Sequence, residues 1–177
     1  YETMKLFESF HYDIPREILS GIAITFRDAG HVLGSAMVEV ECKENGSTKR
    51  FLEGGDLGRV HTPILRDPWV PGEFDVVMME STYGNRDHDP VEAMDGRLAQ
   101  IIRDTVGRGG KIVIPSFALE RAQEVVYALR RLEHDPNVPR LPVYVDSPMT
   151  VNITEVFRMH PECFDESIRD FVAENGD

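Results

Sequence analysis

A single turn, Asn45-Gly46, constrains the first half of this chain more than any other feature. Both residues tolerate the positive φ of a type I′ turn, and alternating apolar and polar residues lie on either side, so the pair predicts a β-hairpin. A two-residue turn also sets the pairing, because the numbers of facing residues must then add up to 91. The spacing therefore predicts strands over about 36–42 and 50–56, with Asp56 facing Ser35.

The second half of the chain has a different pattern. The nearly continuous apolar run over 76–79 predicts a strand buried on both faces. Two further apolar runs, at 112–114 and 143–145, alternate with amphipathic stretches that predict helices. Strand–helix alternation three times over predicts a parallel sheet with crossover helices. We therefore expect a hairpin-rich, antiparallel first half up to about residue 74, an α/β second half, and a join in the Pro-rich stretch 63–71.

The charge of the chain limits its partners. With 19 Lys+Arg against 31 Asp+Glu, the formal net charge is −12. Such a charge repels nucleic acid at long range, which excludes a simple basic clamp. A nucleic-acid substrate requires local contacts, or metal ions that supply the positive charge.

The cysteines and the hydropathy point to a reducing, aqueous compartment. Cys42 and Cys163 form no CxxC pair, which excludes a disulfide scaffold and a Cys-rich zinc finger. No apolar run approaches the roughly 20 residues of a membrane-spanning helix, and no secretory signal follows Tyr1. We expect an internal part of a longer cytoplasmic protein that does not contact a membrane.

Two residues of the hairpin region have metal-ligand chemistry. His31 lies four residues before Ser35, so its loop enters the hairpin at the end where Asp56 lies. An imidazole and a carboxylate are suitable Zn²⁺ ligands, and nearby glycines allow close approach of backbone and metal: Gly30, Gly34, Gly54 and Gly55. Because a catalytic zinc has at least three protein ligands, two do not make a site. An ordinary loop histidine and a turn-capping aspartate remain the simpler alternative on these residues alone.

Six stretches, in order over about residues 5–166, resemble the motifs of one family. DAGHVLGSA (28–36) resembles the third metal-ligand motif of the metallo-β-lactamase fold, and GDLG (55–58) its fourth, which supplies a bridging aspartate. ESTYGNRDH (80–88) resembles the opening motif of the β-CASP family of nucleic-acid hydrolases. The motifs that follow in that family are similar to IPSFA (114–118), RAQE (121–124) and VDSPM (145–149).

The resemblance implies a fold and an activity. Residues 1–80 would form part of a metallo-β-lactamase αββα sandwich, and residues 81–177 part of a β-CASP α/β domain with a parallel sheet. The activity implied is that of a zinc-dependent ribonuclease like ribonuclease J or the endonuclease that cleaves pre-mRNA 3′ ends. Such enzymes use two Zn²⁺ ions to activate a water that hydrolyses single-stranded RNA. A homodimer or an RNA-processing complex is the assembly implied.

The resemblance also implies roles for individual residues. His31 would ligate one zinc ion and Asp56 would bridge both, while Glu80 would orient and polarise a histidine that acts as general acid. Asp56 and Glu80 are therefore the expected catalytic residues. The expected substrate-binding residues are His88, Ser116, Arg121 and Ser147. For His88 a solvated loop histidine is the alternative, and for Ser116, which precedes a predicted helix, a plain N-cap.

The departures from the family pattern leave other functions open. The family's HxHxDH motif and its two late histidine motifs have no counterpart in this sequence, so we expect the chain by itself to be inactive. One alternative is an inactive β-CASP scaffold subunit of an RNA-processing complex, against which the presence of both His31 and Asp56 argues. The other is a hydrolase of small esters or thioesters, against which the α/β sequence from Glu80 onward argues.

Overall fold

Among the residues that the structure describes, five strands form one sheet, in the order in which they follow along the chain. They are β1 (Arg16–Leu19), β2 (Ile22–Asp28), β3 (Ala36–Glu44), β4 (Ser47–Glu53) and β5 (Val76–Met78). The first four pair antiparallel, and β5 pairs parallel to β4. The structure is a computed structural model that describes residues 2–91 and 93–175. The sheet belongs to the first of two compact units, which comprises the chain up to Val60 and the segment Arg66–Thr82.

The Asn45-Gly46 turn forms as the sequence predicts. Both residues have positive φ, +50° and +75°, as a type I′ turn requires. Every facing pair of β3 and β4, from Glu44↔Ser47 to Val38↔Glu53, adds up to 91. The predicted register is therefore confirmed over the whole ladder, and the ends of β3 and β4 that point away from the turn lie side by side.

The more buried face of the sheet carries a charged cluster. Glu39, only 6% exposed, accepts hydrogen bonds from Arg27 (3.0 and 2.8 Å) and from Arg50 (2.6 Å). The two guanidinium groups lie over the rings of Trp69 and Phe74, respectively. These rings pack, in turn, against the apolar core of Ala29, Met37 and Leu52. The loop that carries the two rings therefore covers this face and keeps the charges out of water.

The pKa of Glu39 reflects this environment. Burial by itself would raise the pKa, but the hydrogen bonds and charges of Arg50 and Arg27 outweigh burial and hold it below its usual value. A lowered pKa means that the folded state prefers the ionised carboxylate more than the unfolded state does. The resulting stabilisation is present above the pKa of an unfolded glutamate and is lost as the pH falls through the lower, folded-state pKa.

The second unit is helical and includes a short segment from the preceding loop. Its helices are α1 (Ala93–Gly107), α2 (Arg121–Leu132), α3 (Pro148–Met159) and α4 (Glu166–Asn175). Ala99 and Ile102 of α1 pack on Leu132 of α2, and the side chain of Gln123 donates to Thr154 of α3 at 3.0 Å. Within the part of the chain that the structure describes, no helix combines the length and hydropathy that crossing a membrane requires.

The segment His61–Leu65 belongs to this second unit. Ile64 and Leu65 are buried. Leu65 forms a β-bridge with Phe164, and the backbone N–H of Asp165 donates to the carbonyl of Ile64 at 2.9 Å. The second unit therefore includes five residues that precede the segment Arg66–Thr82 of the first unit in the chain. The assignment of residues 1–80 and 81–177 to two domains stays a prediction.

The mixed α/β fold class is confirmed, but the predicted strands at 112–114 and 143–145 are wrong for the described residues. Both segments lack strand pairing there, and Val113 and Tyr144 are 85% and 86% exposed. A strand that is apolar on both faces forms only where neighbouring strands accept and donate its backbone hydrogen bonds and other elements cover its side chains. Within residues 93–175 there is no strand to pair with. The predicted burial of β5 is also wrong, because β5 is an edge strand with exposed side chains.

We predict that Glu39→Gln lowers the free energy of unfolding by about 3 kcal/mol at neutral pH, because two guanidinium groups then lose their buried anion. Glu41→Gln is the matched control on the same strand. Its partner is Lys43, in a more exposed ion pair, so the loss should stay below about 1 kcal/mol. Urea unfolding of the full-length variants measures both values.

The pH dependence separates charge from packing. The stability difference between the wild type and Glu39→Gln should shrink as the pH falls below about 4, where the unfolded glutamate takes up its proton. A difference that stays constant from neutral pH down to about pH 3 would contradict the role given to the ionised carboxylate.

Candidate functional site

His31 lies in a loop whose backbone is tightly held. Ser35 Oγ accepts hydrogen bonds from the backbone N–H of His31 (3.1 Å) and from that of the next residue (3.2 Å). Asp28 Oδ1 accepts from the N–H of Gly30 (2.9 Å), and Arg66 binds its other oxygen at 3.0 Å. The loop is therefore ordered by its own polar side chains, while the imidazole of His31 is exposed to solvent.

The loop that carries Asp56 meets the His31 loop backbone to backbone. The N–H of Gly58 donates to the carbonyl of Ala29 at 2.8 Å. A Cβ placed on Gly58 would lie 1.7 Å from the carbonyl oxygen of Gly30 and 2.7 Å from the nitrogen of His31. Such distances are impossible, so only glycine permits this contact. Asp56, itself exposed, lies two residues, or at most about 7 Å of chain, from the point where the loops touch.

Glu80 is joined to the same loop. Its Oε1 accepts a hydrogen bond from the backbone N–H of Leu57 at 2.7 Å. That bond, a second one with the side chain of Thr82, and the nearby ring of His31 lower the pKa of Glu80 despite partial desolvation. Glu80 is therefore ionised at neutral pH. Leu57 and Gly58 direct successive N–H groups to two different partners, Glu80 and Ala29, and so fix the chain immediately after Asp56.

These side chains fit part of a metal site. An imidazole with neighbouring carboxylates is a donor set suited to Zn²⁺. Within residues 2–91 and 93–175, however, no three His, Cys, Asp or Glu side chains lie close enough together to hold an ion. A catalytic zinc has at least three protein ligands, so the described residues do not complete a site. The sharing of one ion by His31 and Asp56 stays a prediction.

The two serines expected at the substrate site differ in their surroundings. Ser147 is the N-cap of α3, where its Oγ accepts the N–H of Thr150 at 3.2 Å. The prediction that Ser116 precedes a helix directly is wrong, because α2 begins five residues later, at Arg121. A turn over 118–120 intervenes, and the carbonyls of Phe117 and Leu119 take the first N–H groups of α2.

Arg121 begins α2 and pairs with an acid on its own helix. Its guanidinium lies 2.7 Å from the carboxylate of Glu124, while most of its side chain is exposed. An RNA phosphate would compete with this carboxylate for the same donors. The predicted substrate contacts of Arg121, Ser116 and Ser147 stay predictions.

His88 lies within a cluster that the sequence interpretation covered only in part. Its ring meets the edge of Tyr83, with centroids 5.5 Å apart at 87°. Arg86 lies over the face of the same ring, 4.2 Å from its centroid. Tyr83 and Arg86 were missed as candidates although both stand in the ESTYGNRDH motif with His88. Gly58 was missed too, although the second glycine of GDLG was a visible signal of close backbone packing.

Known proteins resemble this chain over most of its length. Residues 122–176 match the Beta-Casp domain. A ribonuclease of Thermus thermophilus is 36% identical over 85% of this chain and 34% of its own length. An RNase J-like protein of Methanocaldococcus jannaschii is 30% identical over 96% of this chain and 40% of its own length. The cleavage and polyadenylation specificity factor 73 of Drosophila melanogaster is 30% identical over 98% of this chain and 25% of its own length. The chain thus spans less than half the length of these relatives.

From the predicted sharing of a zinc ion by His31 and Asp56, we expect that Gly58→Ala weakens zinc binding by the full-length protein at least tenfold, because the added methyl group forces the Asp56 and His31 loops apart. Gly72→Ala is the control in the same unit, since no atom lies within 4 Å of the position its Cβ would take. Titration with zinc against a chromophoric chelator gives both affinities, and thermal melts show whether each variant is folded. An unchanged zinc affinity in folded Gly58→Ala would contradict the contact's role.

Proposed function

Because this chain belongs to the β-CASP family, we propose that the full-length protein is a zinc-dependent ribonuclease that hydrolyses phosphodiester bonds in single-stranded RNA. The observation that carries the proposal is the joining of the Asp56 loop to the His31 loop and to Glu80. The names of the relatives, a ribonuclease and an RNase J-like protein, support the same chemistry.

Each residue of the site has a defined task in this proposal. The imidazole of His31 would help to hold one metal ion, and the carboxylate of Asp56 would help to hold both. The described residues bring no three such ligands together, so further ligands would be needed from elsewhere in the full-length protein. Two bound Zn²⁺ ions would supply the chemistry by lowering the pKa of a water and stabilising charge on the phosphoryl oxygens.

Glu80 acts on the site without binding the metal. Its ionised carboxylate holds the N–H of Leu57 and with it the position of Asp56. The same negative charge would orient and polarise a histidine that protonates the leaving oxygen. An acid–base pair of this kind needs the carboxylate to be ionised at the working pH, which agrees with the lowered pKa of Glu80.

The RNA is bound by local contacts. A net charge of −12 disfavours RNA at long range, so the phosphates must be attracted locally, by the metal ions and by a few side chains. The proposed side chains are those of His88, Ser116, Arg121 and Ser147. The protein would act in the cytoplasm, as a homodimer or within an RNA-processing complex. The Drosophila relative, whose name is that of a cleavage and polyadenylation specificity factor, supports the second assembly.

The test is Asp56→Ala in the full-length protein. Zinc content and RNA cleavage should fall together, with cleavage at least 100-fold lower, because a ligand of both ions is removed. Asp104→Ala, on the exposed side of α1, is the control and should leave both unchanged. Elemental analysis and cleavage of a labelled single-stranded RNA measure the two quantities. Full zinc content with full turnover in Asp56→Ala would refute the bridging role.

Glu80→Gln provides the contrast within the same experiment. The amide oxygen still accepts the N–H of Leu57, but the negative charge is gone. Zinc content should therefore stay near that of the wild type while cleavage falls about 10–100-fold. Loss of zinc in Glu80→Gln would show instead that Glu80 is itself a metal ligand.

A further inference from the structure

A turn brings Arg86 onto the face of Tyr83. The backbone N–H of Arg86 donates to the carbonyl of Tyr83 at 3.1 Å, and Tyr83 has a φ of +56°, which few non-glycine residues adopt. The guanidinium carbon of Arg86 then lies 4.2 Å from the ring centroid. With His88 against the ring edge, these three exposed residues form what we call the Tyr83 cluster.

The charge of Arg86 has no anionic partner within the described residues. This places it in a minority of the arginines, in a chain with 31 acidic and 19 basic residues. In the described part of the chain, at least nine other arginines bind a carboxylate within 3.2 Å: Arg16, Arg27, Arg50, Arg66, Arg97, Arg121, Arg130, Arg131 and Arg158. Arg86 is instead held by an aromatic ring, which fixes its position but neutralises none of its charge.

A guanidinium stacked on a ring keeps the N–H donors of its plane free. Five such donors in a planar fork match the oxygens of a phosphate, and the geometry is already ordered by the ring beneath. Exposed tyrosine and histidine rings are surfaces on which unpaired nucleobases stack. The cluster thus combines a phosphate donor with an aromatic platform, within three to eight residues of Glu80 along the chain.

We propose that the Tyr83 cluster binds one nucleotide of single-stranded RNA, with Arg86 on the phosphate and the exposed rings against the base. This rests on the proposed function, and it names Arg86 and Tyr83 as substrate contacts in addition to His88. It also explains how a chain of net charge −12 contacts a polyanion, since the repulsion at long range is offset by an unpaired, preorganised cation at one point.

The experiment measures the affinity of the full-length protein for a fluorescein-labelled 12-nucleotide single-stranded RNA by anisotropy, between 50 and 300 mM salt. Arg86→Ala should weaken binding about 5–10-fold at low salt and reduce the slope of log affinity against log salt by about 1, as expected for one lost phosphate contact. Tyr83→Leu should weaken binding about as much, whereas Tyr83→Phe, which keeps the ring, should not.

Arg140→Ala is the matched control. Arg140 is exposed and has neither a carboxylate nor a ring against it in the described part of the chain. Its removal should leave affinity and slope unchanged. Equal effects of Arg140→Ala and Arg86→Ala would show a diffuse charge effect and overturn the site, as would unchanged binding by Arg86→Ala or competition by polyglutamate as strong as by unlabelled RNA.

Steady-state cleavage separates this inference from the proposed function. In Arg86→Ala the KM for RNA should rise about 5–10-fold with kcat nearly unchanged, because the residue contacts substrate away from the reacting bond. If the wild type binds RNA through Arg86 but does not cleave it, the proposed function is refuted and the contact site stands. Cleavage by the wild type with an unchanged KM in Arg86→Ala would support the proposed function and refute the contact site.

Discussion

The contact of Gly58 with the backbone of Gly30 and His31 is the constraint on which the site depends. It brings two loops to a separation that no side chain at position 58 would permit. The preceding N–H, of Leu57, turns to Glu80, so that one short segment is held from two sides. Both interactions hold backbone N–H groups of the Asp56 loop, so this loop is fixed through its main chain while the side chains of His31 and Asp56 stay exposed.

The pairing of the strands places those loops at the same end of the sheet. The two-residue turn sets the register of β3 and β4, so the His31 loop and the Asp56 loop leave the same end of the hairpin. Glu39, between two guanidinium groups, ties β2, β3 and β4 together on the covered face. A buried ion cluster adds less stability than an apolar core of the same size, but removing one partner is costly. The cluster therefore favours this one arrangement of strands.

Short-range chemistry made part of this structure predictable. The turn preference of Asn45-Gly46 determines the hairpin, and the register follows by counting, as does the placing of His31 and Asp56 at one end. The apolar runs at 112–114 and 143–145 were predicted wrongly, because apolar character shows that a segment can be a buried strand and not that partners are present. The bond from Leu57 to Glu80 spans 23 residues, and no local pattern predicts which carboxylate a loop amide will meet.

The most direct test of this account is anomalous X-ray diffraction at the zinc edge from crystals of the full-length protein. We predict a zinc peak about 2.0–2.2 Å from a ring nitrogen of His31 and from a carboxylate oxygen of Asp56. Gly58 should still touch the His31 loop in that structure. A zinc site elsewhere, or side chains of His31 and Asp56 more than about 8 Å apart, would contradict it, since two groups at that separation cannot share an ion.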